Sequence, residues 1–305
     1  MQRFRIGIGG IAVLSGLFFG IGRYIVNAQT ADDLDWPWCY GQMWFRGLDP
    51  YLCVSTDPRT GHVWPGNPLT TMYAILPFTL LPRGLMAAVV VGSSVALLVY
   101  ALISSSKPYH LLTLLSVPFW CAFRLAQWSP LMVAVAMLPC LIPLTLAKPQ
   151  IGFPIFLRHF TWRRAILCTI LLALTFVDDP TWPLRWWPQT RTYDGIIPLL
   201  TLPGLPLLAL LARRRDPDAW FVLLCACMPQ RVFYDAFILV CALQTRREVF
   251  IWTISTWAVA IGFFFPSQWD PIFVAACYWP LVYCILRRAP AQQAEHAEQR
   301  ISTCT

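Results

Sequence analysis

A few side chains in this sequence have types and settings suited to chemistry. Asp33 and Asp35 open the stretch "DDLDWPWCYGQMWFRGLDPYL" (residues 32–52), where four aspartates gather among six aromatic rings. A carboxylate within hydrogen-bond reach of a hydroxyl can take its proton. Lys148 in "LTLAKPQIG", Arg124 in "AFRLAQ" and Arg231 in "MPQRVFYD" interrupt apolar runs, and Lys148 is one of only two lysines. Cations at such places can stabilise a departing anion and are costly enough in a membrane to point to function; they can also snorkel to an interface. Gln127, just before Trp128, can bind hydroxyl groups, and Trp36 offers a ring beside the acids. Asp49-Pro50 reads first as turn chemistry. The four histidines, His62, His110, His159 and His296, are scattered, so no metal spacing is visible.

These residues must be positioned by membrane helices. The 305-residue chain is 57% hydrophobic and 12% charged, about half the charge of a soluble domain. We therefore read residues 1–288 as one polytopic transmembrane domain and 289–305 as a disordered cytoplasmic tail. The +8 formal charge is segregated: arginines cluster at Arg3/Arg5, Arg163/Arg164, Arg213–Arg215, Arg246/Arg247 and Arg287/Arg288, away from most aspartates. That is the positive-inside pattern of membrane topology, not the footprint of a nucleic-acid partner. Most of the eleven cysteines lie in apolar runs; only Cys39 and Cys53 share an expected external loop, and nothing in the sequence sets their distance.

The pattern predicts an all-α integral membrane protein with about ten crossings, some short or re-entrant. Residues 6–26 cross first, from a cytoplasmic N-terminus. Residues 27–66 form an external loop with five Asp against two Arg. Within it, Trp36, Tyr40, Trp44 and Gly47 keep near-helical spacing, with Asp33 and Asp35 at a capping position and Gly47 at the stop. A short segment over 68–82 leads to Arg83, expected at the cytoplasm, and 84–103 cross outward. The stretch "YHLLTLLSVPFWCAFRLAQWSP" (residues 109–130) either crosses or dips and returns at Val117-Pro118, 130–147 cross, and re-entrant or half helices suit this middle region. Residues 165–177 and 196–212 cross; 219–243 fold as a hairpin turning at Met228-Pro229; 249–265 and 271–286 form a last pair. Both termini are expected in the cytoplasm.

At the opening stretch the chain resembles a family. A first helix, then an Asp-rich aromatic segment, then "GLDPY", is similar to the GT-C class of polyprenyl-phosphate-sugar-dependent glycosyltransferases, in the bacterial branch related to α-mannosyl- and arabinosyltransferases. "WPGNPLTTMYAILPFTLLP" resembles that branch's tyrosine-proline segment, with Asn67-Pro68-Leu69 replacing the usual motif. "LAQWSPLMVAVAMLP" resembles its Gly-Gln segment, with Ala126 replacing the glycine. "LAKPQIGFPIFL" before "RHFTWRR" resembles its Lys-Pro segment. The likeness covers roughly residues 5–165, with an echo in "MPQRVFYDAF".

The resemblance implies transfer of a sugar from a polyprenyl-phosphate donor to a lipid, glycan or protein acceptor. It places the active site on the non-cytoplasmic face of the plasma (inner) membrane. It implies Asp33 as general base with Asp35 as support or alternative, and Lys148, Arg231 and Arg124 around the donor phosphate. Gln127 and Trp36 would contact substrate. No metal or cofactor is called for, and no P-loop or nucleotide fingerprint is present. Two other readings fit the composition: a transporter or flippase of lipid-linked sugars, and a non-catalytic membrane subunit.

Overall fold

The computed structural model describes residues 2–29, 32–53, 67–105, 107–191, 195–230, 233–262 and 269–288. Arg231, residues 54–66 of the expected external loop and the tail from 289 lie outside them. The described chain is all-helical and contains no strand; one isolated bridge pairs Ile196 with Gln230. Among the described residues the α-helices run in order: α1 (Gln2–Val26), α2 (Asp35–Phe45), α3 (Leu69–Ile75), α4 (Arg83–Ser104), α5 (Val117–Arg124), α6 (Ser129–Met137), α7 (Pro149–Arg158), α8 (Trp162–Asp178), α9 (Trp182–Thr190), α10 (Pro217–Cys227), α11 (Arg246–Thr256), α12 (Val259–Gly262) and α13 (Trp269–Arg287). Long 3₁₀ segments stand between them, at Pro108–Leu115, Pro139–Ala147, Leu202–Arg213 and Phe233–Ala242. Such runs are unusual; Pro143 and Pro206 inside two of them remove backbone donors that an α-helix would use.

Among the described residues, three helices are long and apolar enough to cross a membrane: Gly7–Val26, Arg83–Ser104 and Asp270–Arg287. Counting α8 with α9 as one bent span, turned by 94°, adds a fourth. The outward faces are greasy, as in Leu14, Phe18 and Ile25 of α1 and Ile166, Ile170 and Leu174 of α8. In a bilayer these side chains meet acyl chains, so no aqueous penalty attaches to them.

Helices α1 and α4 form the closest pair. Gly16 faces Gly92, and Gly20 faces Ala88; a Cβ on Gly16 would sit 2.6 Å from the Gly92 carbonyl oxygen, and one on Gly20 2.9 Å from that of Ala88. Contact positions rise along α1 as they fall along α4, so the pair is antiparallel. Small residues let the backbones approach where no hydrophobic drive joins helices in lipid.

This pairing corrects the expected direction of α4. Arg83, at its start, pairs with Asp35 just beyond α1. The segment 68–82 therefore does not cross. It is tied to α2 by Trp38 Nε1 donating to Leu81 O (3.0 Å) and Gln42 Nε2 to Thr79 O (2.6 Å). At the far end of α4, Lys107 donates to Gln244, and the His110 ring meets Leu243 O at 3.1 Å.

The middle of the chain then resolves. Pro108–Leu115 and α5 together run back to the Asp33 end, where Asp33 N–H donates to Leu125 O (3.3 Å). Helix α6 and the 3₁₀ segment Pro139–Ala147 do not cross, contrary to expectation for 130–147. They leave at Gln127 and return to Lys148, whose ammonium donates to Gln127 Oε1 (3.0 Å). Helix α7 carries the chain to the opposite end, where Arg158 pairs with Asp218 (2.6 Å). The hairpin over 217–242 forms as expected, α10 up and Phe233–Ala242 down. Helix α11 opens with a capping box, Thr245 with Glu248, and packs on α13 through Trp252 Nε1 donating to Cys277 O (2.9 Å).

Candidate functional site

Helix α2 ends as its sequence requires, with Gly47 at φ +67° just past it. Its start does not. The N-cap is Leu34, without a side-chain cap, and Asp32–Leu34 is a 3₁₀ turn. Asp33 and Asp35 are therefore not capping residues, and both carboxylates are left for other partners. Asp32 adopts φ +48°, a conformation Asp tolerates better than most residues. Its carboxylate takes the buried Arg23 guanidinium at 2.5 Å.

Asp33 is half-buried. Its Oδ2 accepts a short hydrogen bond from Gln127 Nε2 and a second, at 3.2 Å, from the Tyr234 hydroxyl. Its Oδ1 accepts none among the described residues. Gln127 in turn accepts from Lys148, and Lys148 is ion-paired to Asp235 Oδ1 at 2.7 Å. The ammonium also lies 4.8 Å from the centre of the Tyr234 ring, a cation–π contact. Lys148 and Asp235 are 7% and 0% exposed. Four segments far apart in sequence thus build one chain, Asp33–Gln127–Lys148–Asp235, with Tyr234 touching both halves.

The residue before Gln127 is strained. Ala126 holds φ +52°, a left-handed conformation that costs a residue with a Cβ about 1–2 kcal/mol. A glycine would take it freely, so the alanine stands where the backbone itself asks for glycine. Positive φ on both Asp32 and Ala126 brackets the Asp33–Gln127 contact, and such strain gathers at functional sites.

The expected site residues thus divide. Asp33, Gln127 and Lys148 converge. Asp35 lies at the same end but is engaged by Arg83. Arg124 is exposed at the end of α5, one residue from Leu125, which receives the Asp33 N–H. Arg231 lies outside the described residues. Trp36, 6% exposed, is packed into an aromatic cluster with Tyr40, Tyr51, Leu69, Met72 and Trp182 rather than presented at a surface. Tyr234 and Asp235 were not singled out from sequence. The signal was available, since an acid in the apolar run 233–242 meets the same criterion that marked Lys148.

A disulfide joins Cys39 of α2 to Cys53, beyond the turn Pro50–Leu52. The sequence left that distance open. Asp49 holds the turn, accepting from Tyr51 N–H (2.9 Å), and also pairs with Arg185 of α9 at 2.6 Å. Burial pushes the Tyr40 and Tyr51 phenols above their ordinary range, so both stay neutral and serve this aromatic cluster as apolar bulk.

Taken together, the site offers one carboxylate anchored through a single oxygen, at the end of the bundle where several short elements begin. No protein-family model, no curated protein and no solved structure matches this chain.

Proposed function

We propose that this protein is a membrane glycosyltransferase that moves a sugar from a polyprenyl-phosphate donor to a lipid, glycan or protein acceptor, with Asp33 as general base. One observation carries the reading. The Asp33 carboxylate is fixed by two donors on Oδ2, while Oδ1 accepts nothing among the described residues. A base must be held and must also keep a lone pair for the incoming hydroxyl. Asp35 is less suited, since Arg83 already engages it. Arg124, exposed and one residue from Leu125, is the described cation best suited to the departing phosphate.

In this reading the chain makes ten crossings of an inner membrane. These are α1, α4, the broken pass 108–124, α7, α8, the pass 198–213, both limbs of the 217–242 hairpin, α11 and α13. The α6 hairpin is re-entrant, and both termini are cytoplasmic. Two facts favour a non-cytoplasmic Asp33 end. The Cys39–Cys53 bridge lies there, and disulfides persist in oxidising compartments. The arginine clusters at 163–164, 213–215, 246–247 and 287–288 border the opposite ends of their helices.

The test is transfer of labelled sugar from polyprenyl-phosphate donors in membranes holding wild type or Asp33→Asn. Loss of transfer with normal insertion supports the reading; equal transfer by both refutes it. A second reading, transport of a lipid-linked sugar, draws on the buried Lys148–Asp235 pair at the starts of short broken elements. Donor flipping in proteoliposomes without acceptor would favour it.

A further inference from the structure

We propose that Lys148, held by Asp235, is a positioning residue that sets the orientation of the Gln127 amide and, through it, the direction in which the Asp33 carboxylate points. The proposal rests on Asp33 as the base and replaces the donor-phosphate role that the resemblance implies for Lys148.

The argument is one of donors and acceptors. An ammonium only donates, an ionised carboxylate only accepts, and a glutamine amide has one face of each kind. Gln127 lies between Lys148 and Asp33. Only one of its two flips satisfies both neighbours: Oε1 toward Lys148 and Nε2 toward Asp33. Without the ammonium the flip that serves Asp33 has one partner instead of two, so the amide is held from one side only and the carboxylate's donor is less firmly fixed. Tyr234 repeats the logic, with its ring against the ammonium and its hydroxyl on the same Asp33 oxygen. Both donors meet Oδ2, so the carboxylate is turned with Oδ1 away from them.

Lys148 is also badly placed to greet a ligand. Its ammonium is buried and donates to Asp235 and Gln127. Its backbone is pinned where the α6 hairpin closes on α7. Lys148 O accepts from Gly152 N–H (2.8 Å), and Gly152 lies so close to Thr145 O that no Cβ would fit. Asp235, fully buried, supplies the opposite charge that permits an ammonium here at all.

The test uses purified full-length protein in proteoliposomes and four variants. Lys148→Met alone leaves Asp235 buried and unpaired, and folded protein should be lost. Lys148→Met/Asp235→Asn removes both charges and should restore a monodisperse, cooperatively melting protein. Its kcat should stay about 10–100-fold low, the cost of misplacing a reacting group, with donor KM unchanged. Gln127→Met leaves the ion pair intact, so it should fold regardless and show the same kcat loss. A readout independent of turnover is carbodiimide modification of carboxylates, mapped by mass spectrometry. Asp33 should react faster in the double variant and in Gln127→Met, with Asp49 and Asp178 unchanged. Wild-type kcat in the folded double variant or in Gln127→Met would reduce the pair to a structural one and overturn the proposal. A raised donor KM with intact kcat would return Lys148 to the phosphate and overturn it equally. Full activity in Asp33→Asn, the fourth variant, would sink the base assignment alone, while the labelling still decides whether Lys148 orients Asp33.

Discussion

Buried charge occurs at both ends of α7, and the two ends differ in kind. At the Arg158 end, Arg288 donates to Asp218 Oδ2 (2.8 Å), to Glu248 through Nε and Nη2 (3.0 and 2.9 Å) and to Ala242 O (2.6 Å). Arg158 takes the other oxygen of Asp218, and Gln244 donates to both acids. Burial works to lower the Arg288 guanidinium pKa, but Glu248, Asp218 and Asp216 raise it on balance. Both oxygens of Asp218 and of Glu248 are occupied. The result is a clamp that ties together the ends of α7, α10, α11 and α13. At the Lys148 end the network is just as buried toward Asp235 but incomplete toward water, ending at Asp33 Oδ1, which accepts nothing among the described residues. Charge in an apolar chain is therefore not by itself the mark of a reactive site. An unfinished partner set on a half-exposed group is the better one.

The comparison can be broken by substitution. Asp33→Asn keeps shape and removes the base; transfer should fall by roughly 10²–10⁴-fold, measured against an unchanged melting profile. At the other end, Arg288→Met leaves the buried Asp216 and Glu248 without the cation that neutralises them and strips Asp218 of one of its two arginines. Stability should drop by about 3–5 kcal/mol, read as lost thermal stability in detergent, with specific activity of the surviving folded protein preserved. If Arg288→Met instead cost turnover and not stability, the two ends would not differ as claimed.

Smaller effects sharpen the same contrast. Cys39→Ser opens a loop of sequence separation 14 and should cost about 2–4 kcal/mol, with the melting shift matched by reduction of the wild type. Ala126→Gly relieves the left-handed strain beside Gln127. After the added freedom of an unfolded glycine, a net gain of up to about 1 kcal/mol is expected, with transfer retained. A loss of stability in Ala126→Gly would mean that the alanine methyl packs to more effect than its backbone is strained.

Much of the frame was legible from the residues. Helix α1, the α2 stop at Gly47 and the hairpin turning at Met228-Pro229 follow from apolar run length, a glycine and a proline, all local causes. Asp33, Gln127 and Lys148 could be chosen because polar groups in an apolar chain are few. The direction of α4 was not legible. A charge rule sets Arg83 on the other side from the acidic stretch, but Asp35 of that stretch pairs with it, and the rule cannot see a partner 48 residues away. The α6 hairpin was equally hidden, since an apolar run of that length is compatible with crossing and with returning.

Composition and spacing alone marked the chain as helical and apolar enough for a membrane, laid out its acids and arginines, and left few polar groups to find partners in an apolar surrounding. Those follow from composition and spacing, which act locally. It took the folded structure to show that Tyr234 and Asp235 join the network, that Asp35 is engaged while Asp33 keeps one oxygen bare among the described residues, and that Arg288 belongs to a saturated clamp. These depend on which segments meet. In a chain of short, broken helices, the meeting is set by packing and by the need to satisfy every buried charge, over separations of up to 201 residues between Asp33 and Tyr234.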